Sequence, residues 1–303
     1  MRAGPRLLFL LLAAALPALA GCREGESGPI DVVAIGGPPR LVNPNREPID
    51  AGAAFLMSAA AQGLVRFDAA GEIEPALAQR WIVSDDGLRY TFRLARAEWP
   101  GGGRITAQQV VARLRAAAGP SSRNPVKPIL GAIQEIVAMT DDVLEISLKS
   151  PRPGFLQLLA QPEMAVIRSS GGTGPYRLSE TPGGAIALTL PPPEEEEGAE
   201  EAPEAPPIAV TGTRAAIAVA QFLKEDAELV IGGSIADLPI ARAARPPANA
   251  LIFGPVYGLL GLSFGSIEGP LAQPEVRQAL AMAIDRPALV AALGVPALQP
   301  TET

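Results

Sequence analysis

The sequence predicts a mixed α/β protein whose mixed sheet is interrupted by an inserted α+β segment. Strand-like runs such as "IDVVAIGG" (30–37) and "AELVIGG" (227–233) alternate with helix-like runs such as "RAAIAVAQFLKE" (214–225). Two hairpins lie between them, at "SDDGLRYTFRL" (84–94) and at 135–150. Alternating strands and helices are typical of an open α/β sheet, and the hairpins indicate an antiparallel insertion.

The first half of the chain carries local signals for each element. The run "FLMSAAAQGLVRFD" predicts a helix over 53–62 and a strand over 64–67. Thr106 and Gln109 have capping-box spacing, and the apolar stripe of the next helix follows them. "GFLQLLAQP" predicts a short helix that ends at Pro162.

The second half predicts strands first and helices last. A turn and a strand are expected in "GGTGPYRL" (171–178), a strand in "AIALTL" (185–190), and two strands around a Gly/Pro-rich bend in 250–265. Two helices then close the chain, with Asp285 capping the second. The stripe of the first, which we expect to be buried, consists of Val276, Leu280 and Ile284.

Composition limits the possible functions. The net charge of −7 equals the seven glutamates of the Pro/Glu-rich stretch 191–207, so the rest is near neutral and offers no basic surface for nucleic acid. This stretch has no large apolar residue and is predicted to be a disordered loop. Histidine is absent, which excludes His-based catalysis and His metal ligands, and one cysteine cannot form an internal disulfide or a cysteine zinc site.

Residues 1–21 have the pattern of an export signal. Arg2 and Arg6 precede an apolar run, Leu7–Ala20, that is too short to span a membrane. The run ends in "LAGC", whose spacing resembles the bacterial lipobox and makes Cys22 the predicted lipidation site. The alternative is ordinary cleavage after Ala20, one residue earlier. Either cleavage exports the protein, and 22–29 is then a polar tether.

The glycine clusters and the adjacent acidic residues do not match the pattern of a catalytic site or a phosphate-binding site. The clusters at 34–37, 171–174 and 230–234 lack the Lys-Ser/Thr or the G-x-G-x-x-G pattern that phosphate binding needs, so we interpret them as turns. Asp85 and Asp86 are explained by the turn at Gly87. No enzyme activity, cofactor or metal is therefore predicted.

Three segments in order resemble the ABC-transporter substrate-binding proteins for oligopeptides, dipeptides and nickel (solute-binding family 5). They are 63–114, "GTGPYRL" (172–178) and "VRQALAMAIDRPALV" (276–290). The residues of the first segment that carry the resemblance are Gly63, Asp68, Gly71, Pro75, Leu77, Ala78, Trp81, Asp86, Gly87, Tyr90, Phe92, Thr106, Ala107 and Val110. The chain departs from the family where the Pro/Glu stretch follows the GTGPY strand.

The resemblance implies a periplasmic binding protein type II-like fold. It places a discontinuous domain I at 30–55 and 171–270, domain II at 56–170, and a stub of domain III at 271–303. Since the third domain forms the other cleft wall in this family, the second ligand lobe is expected to be largely missing from these 303 residues. The closing helices are then a hinge-side element.

The resemblance also implies that the ligand lies in a cleft between lobes. By position, the candidate ligand residues are Asn43, Asn45, Arg46, Gly232, Gly233, Ser234 and Tyr257. Tyr257 lies in a glycine-flanked bend that suits a cleft wall, although simple packing on the sheet explains it equally well. Nickel is disfavoured because the chain has no histidine.

The function implied is that of a periplasmic lipoprotein that captures peptides or similar small solutes for an inner-membrane ABC permease. The alternative is a truncated or degenerate relative that acts as a non-transport envelope interaction lipoprotein. A ligand held by one cleft wall loses much of its buried area, which keeps this alternative open.

Overall fold

The computed structural model describes residues 28–168, 171–191, 205–254, 261, 263–295 and 298–300. The predictions for Cys22, for Tyr257 and for most of the Pro/Glu-rich stretch lie outside these residues. The chain divides into two compact units, 1–232 and 233–303, which are described separately. Within the described ranges, no helix has the length and apolarity needed to cross a membrane.

Unit 1 contains strands and helices in alternation. Its strands are β1 (Ile30–Ile35), β2 (Val65–Phe67), β3 (Ile73–Pro75), β4 (Ala78–Val83), β5 (Arg89–Leu94), β6 (Ile133–Ala138), β7 (Val143–Leu148), β8 (Ile167–Arg168), β9 (Gly171–Gly172), β10 (Arg177–Glu180), β11 (Ile186–Thr189), β12 (Ile208–Thr213) and β13 (Leu229–Ile231). Its helices are α1 (Ala51–Ala60), α2 (Ala107–Ala118), α3 (Lys127–Leu130), α4 (Phe155–Leu159) and α5 (Ala215–Leu223), with a 3-10 turn at Pro162–Met164.

The main sheet is mixed, as predicted. Its order is β10-β11-β12-β1-β13; β1 is parallel to β12 and β13, and β11 is antiparallel to β12. Successive side chains of β1 point to opposite faces. Val33 packs in a cluster with Ala218 of α5, whereas the Cβ of Ala34 lies 3.3 Å from where a Cβ on Gly52 of α1 would be. Helices α1 and α5 therefore cover opposite faces.

A second, antiparallel sheet of order β4-β5-β7-β6 contains both predicted hairpins. Gly87 makes the first turn with a φ of 66°, and its N–H donates to Ser84 O over 2.8 Å. One face of this sheet packs on α2, and Phe92, Leu144 and Val110 are completely buried there. This core consists of residues between 64 and 166; the domain boundaries expected from the sequence remain predictions.

Helix α1 is shifted from its expected position. It begins at Ala51 instead of residue 53 because Asp50 is the N-cap, whose carboxylate accepts the N–H of Ala53 over 2.8 Å. The helix ends at Ala60, and the segment 171–176 crosses its last turn. There Gly174 N–H donates to Ala60 O over 3.0 Å and Tyr176 N–H donates to Ala59 O over 3.1 Å.

Unit 2 contains α6 (Leu238–Ala243), a 3-10 turn (Gly269–Ala272), α7 (Pro274–Met282) and α8 (Arg286–Leu293). The predicted cap of α8 is confirmed, since Asp285 accepts the N–H of Ala288 over 3.0 Å. Gly294 ends α8 in the left-handed region, with a φ of 60°. Arg242 of α6 donates to the carbonyl groups of Leu293 (2.7 Å) and Gly294 (2.8 Å), where a cation suits the negative end of the helix.

Two predictions for unit 2 are wrong. The stripe Val276, Leu280 and Ile284 is not buried: Val276 and Ile284 are half-buried and Leu280 is 47% exposed, because the described elements of unit 2 leave that side of α7 open. The first of the two strands predicted in 250–265 is absent: 251–254 form no strand, and Ile252 is 82% exposed. Residues 255–260 and 262, on which much of the rest of this prediction falls, lie outside the described residues.

Candidate functional site

The connection from β1 to α1, residues 36–50, leaves the carboxyl end of the parallel strands. The neighbouring strands β1 and β12 are followed by helices α1 and α5, which lie on opposite faces of the sheet. Such a point, where the connections diverge, opens a crevice outside the carboxyl ends of the strands, and ligands of open α/β sheets bind there. Three of the predicted ligand residues lie in this connection.

Asn43, Asn45 and Arg46 form one tight turn. The carbonyl group of Asn43 accepts the N–H groups of Arg46 (2.9 Å) and Glu47 (3.2 Å), and its side-chain Oδ1 accepts the N–H of Asn45 (3.1 Å). Asparagine favours such turns because its side chain replaces a backbone acceptor. Arg46 is exposed, so the turn presents a cation to solvent.

Asn124 joins this turn to two distant loops. It is 3% exposed, and its Nδ2 donates to Asn45 Oδ1 (2.9 Å) and to Glu163 O (3.0 Å). Its Oδ1 accepts the N–H of Val126 (3.1 Å), so each side-chain polar atom has a partner. Arg123 N–H adds a bond to Asn45 O over 2.9 Å. The sequence did not predict this role for Asn124, because an asparagine before a proline indicates only a turn.

A small cavity of about 10 Å³, the space of one water molecule, opens where these loops meet. The residues lining it are Asn43, Pro44, Asn45, Arg113, Leu114, Ala117, Glu163, Met164 and Ala165. Arg113 is partly buried, and this burial lowers the pKa of its guanidinium. No carboxylate of a described residue lies within ion-pair distance of Arg113.

The cavity therefore combines hydrogen-bond donors with one acidic side chain. Asparagine amides and the guanidinium of Arg113 can donate to a carboxylate or carbonyl oxygen, and Glu163 can accept from an amine or amide. Within the described ranges, no group of three or more acidic, cysteine or histidine side chains could hold a metal ion. The cavity itself has room for one water molecule, so a bound solute would contact these groups from outside it.

The other predicted ligand residues occupy different surroundings. Gly232 follows β13 with a φ of 85°, and a Cβ there would lie 2.1 Å from the Cβ of Ala51, so packing against α1 demands a glycine. Gly233 and Ser234 belong to unit 2 and are exposed. The Ser234 hydroxyl donates to Asp237 Oδ2 over 2.7 Å, which lowers the pKa of Asp237. Ligand contacts by these residues remain a prediction.

Comparison with known proteins gives a consistent result. Residues 72–303 match the family described as bacterial extracellular solute-binding proteins, family 5 Middle. The glutathione-binding protein GsiB of Escherichia coli O1:K1 / APEC is 28% identical over 254 residues, which are 76% of this chain and 47% of that protein. The chain thus spans about half the length of this curated relative.

Solved structures share the fold. The binding protein AgaA of A. tumefaciens R10, solved with agropinic acid, gives a TM-score of 0.67 at 23% identity, covering 87% of this chain and 55% of that one. The periplasmic binding protein DppA of Helicobacter pylori, solved with the peptide STSA, gives 0.52 at 19% identity, covering 73% and 49%. At these identities the likeness establishes the architecture alone.

Proposed function

Because this chain belongs to the bacterial extracellular solute-binding proteins of family 5, we propose that it captures peptides or similar small polar solutes for an ABC permease of the inner membrane. The family resemblance expected from the sequence and the type II-like fold are both confirmed. The family consists of substrate-binding proteins, so the proposal involves capture and delivery without bond breaking.

One structural observation supports this proposal independently of family membership. Three loops far apart in sequence, around residues 43–46, 122–124 and 163–165, converge through Asn124 on polar groups beside a water-sized cavity. The first of these loops belongs to the connection that leaves the carboxyl ends of the parallel strands, where α/β proteins bind ligands. Glutathione and a short peptide are named for two of the similar proteins. Both carry carboxylate, amide and amine groups, which match the donors and the single acidic side chain around the cavity.

The first test is ligand stabilisation of the purified chain from residue 22. Peptides of two to five residues and glutathione should raise its melting temperature, because a ligand that binds only the native state adds stability. At a ligand concentration of 100 times Kd the gain is about 2.7 kcal/mol. Absence of any shift across the panel would contradict autonomous capture and favour the non-transport alternative.

A matched pair of variants locates the site. We expect Arg113→Gln to weaken binding by about tenfold or more, since a partly buried guanidinium gives a strong, charge-assisted hydrogen bond to a carboxylate. Arg152→Gln removes an exposed arginine outside the cavity and should leave affinity unchanged. Equal affinity of both variants would place the ligand elsewhere.

We also propose that the protein is periplasmic and held at a membrane by a lipid on Cys22. The lone cysteine stands at the end of the "LAGC" pattern that supports this proposal. Cys22→Ser should move the protein from the membrane fraction to the soluble periplasmic fraction, because the acyl chains supply the membrane affinity. Unchanged fractionation of this variant would refute lipid anchoring, and the unaltered chain prepared in parallel is the control.

A further inference from the structure

Basic side chains are concentrated in one segment of an otherwise acidic chain. Residues 99–134, which include helix α2 and the loop after it, contain five basic residues and no Asp or Glu, whereas the whole chain has a net charge of −7. The five are Arg104, Arg113, Arg115, Arg123 and Lys127. Arg104 pairs with Asp142 and Arg115 donates to the carbonyl group of Ile136, and neither of them lines the water-sized cavity.

Two of the other arginines lie beside the turn that contains Asn45. The N–H of Arg123 donates to Asn45 O over 2.9 Å, so the two backbones are in contact. Arg113 and Asn45 line the same cavity. Arg46 follows Asn45 in the chain, and both Arg46 and Arg123 are exposed. Three arginines from separate parts of the chain therefore meet at Asn45.

Lys127 adds a fourth positive charge beside these arginines. Its Nζ donates to Pro120 O (2.6 Å) and to Ser122 O (3.2 Å), which closes the loop that carries Arg123. Both partners are neutral carbonyl groups, so these bonds do not neutralise the ammonium charge. We call the four cations around Asn45 the basic cluster: Arg46, Arg113, Arg123 and Lys127.

Few carboxylates compensate the basic cluster. Among the described residues, no Asp or Glu side chain lies within ion-pair distance of any of its four members. Glu47, which follows Arg46, is paired with Arg40 at 2.6 Å, and Glu163 is the one carboxylate among the residues that line the cavity. A group of like charges without counter-charges produces a field that raises the local concentration of anions.

We infer that the solute captured at this site is an anion with at least two carboxylates, and that Arg46 and Arg123 select it by charge. The inference rests on the proposed function, because it names the class of solute that the same site takes. Arg113, which is partly buried, gives one carboxylate a charge-assisted hydrogen bond. The exposed guanidinium groups of Arg46 and Arg123 attract the other carboxylate and repel cationic solutes.

The test compares two tripeptides that differ in charge and little in shape, Ala-Glu-Glu and Ala-Gln-Gln. Each is titrated into the purified chain from residue 22, and isothermal titration calorimetry gives its Kd. We expect Ala-Glu-Glu to bind at least tenfold more tightly at about 25 mM salt. This preference should shrink at least threefold at about 300 mM, because the Debye length falls from roughly 20 Å to roughly 6 Å and exposed charges are screened.

Two variants with equal loss of charge locate the selection. Arg46→Gln/Arg123→Gln should bring the Kd values of the two peptides to within threefold of each other. It keeps the hydrogen bond to Asn45, because the backbone N–H of residue 123 makes that bond. Arg80→Gln/Arg93→Gln removes two exposed arginines of β4 and β5 that do not line the cavity, and it should keep the tenfold preference. Similar melting temperatures without ligand verify that both variants fold.

Four results would overturn the inference. Equal affinity of the unaltered chain for Ala-Glu-Glu and Ala-Gln-Gln would refute it and leave the proposed function standing, whereas absence of binding by every peptide would refute both. A tenfold preference that persists in Arg46→Gln/Arg123→Gln would show that these arginines do not select the solute. A phosphate ester suits the same donors, so tenfold tighter binding of Ala-phosphoserine-Ala than of Ala-Glu-Glu would replace the carboxylates by a phosphate.

Discussion

Gly174→Ala should lower the free energy of unfolding of unit 1 by at least about 3 kcal/mol, and the variant is expected to accumulate poorly. A Cβ at this position would lie 2.4 Å from Ala59 O and from Ala60 C, and 2.5 Å from Ala61 N. These are backbone atoms at the end of α1, so a side-chain rotation cannot relieve the overlap. The segment 171–176 would have to move away from α1 and lose its hydrogen bonds to Ala59 and Ala60.

Gly183→Ala is the matched control. No heavy atom would lie within 4 Å of its added Cβ, and it does not adopt a positive φ, so stability should change by less than about 0.5 kcal/mol. Urea unfolding of the two variants and of the unaltered chain, followed by tryptophan fluorescence, measures the difference. Equal midpoints for Gly174→Ala and Gly183→Ala would show that the segment 171–176 crosses α1 less closely than these distances require.

Asn124→Ala is expected to cost about 3 kcal/mol and to weaken ligand binding as well. The substitution leaves Glu163 O and the N–H of Val126 without their partner in a place where water is largely excluded, and Asn45 Oδ1 keeps only the long bond from the Ser122 hydroxyl (3.5 Å). Each buried polar group that loses its partner costs about 1–3 kcal/mol. The turn at Asn43–Arg46 would then lose its connection to the other two loops.

Two measurements distinguish a loss of stability from a loss of ligand binding in Asn124→Ala. Urea unfolding gives the stability change, and the ligand-induced rise in melting temperature, measured where the variant is fully folded, gives the binding change. Gln157→Ala, an exposed position in α4, should affect neither. If Asn124→Ala kept full ligand affinity in the folded state, the convergence of the three loops would not form the binding site.

Much of the fold could be predicted because its signals are local. Asp86-Gly87 determines a hairpin turn within four residues, and Asp285 with Gly294 marks the two ends of α8 within ten. Alternation of Tyr90, Phe92 and Leu94 with polar residues predicts which face of β5 is buried. The GTGPY segment and its neighbours indicated the family, which the match over residues 72–303 confirms.

The site could be predicted only in part. The sequence placed Asn43, Asn45 and Arg46 in a candidate ligand loop, and the structure brings that loop to a polar cavity. It gave no reason to connect them with Asn124, which is 79 residues from Asn45, or with Glu163, which is 39 residues from Asn124. Hydrogen bonds between distant segments leave no periodic pattern in the chain, so no local signal could reveal them.

The sequence by itself determined most of the element types, the hairpin turn at Gly87 and the cap of α8, because a few neighbouring residues decide each of these through backbone conformation and nearby hydrogen bonds. Only the tertiary structure decided what each surface meets. It buried Asn124, it required Gly174 to lack a side chain, and it left Leu280 of α7 uncovered although its spacing predicted burial. Burial depends on which distant segment packs against a residue, and that partner is not encoded in the residue's own surroundings.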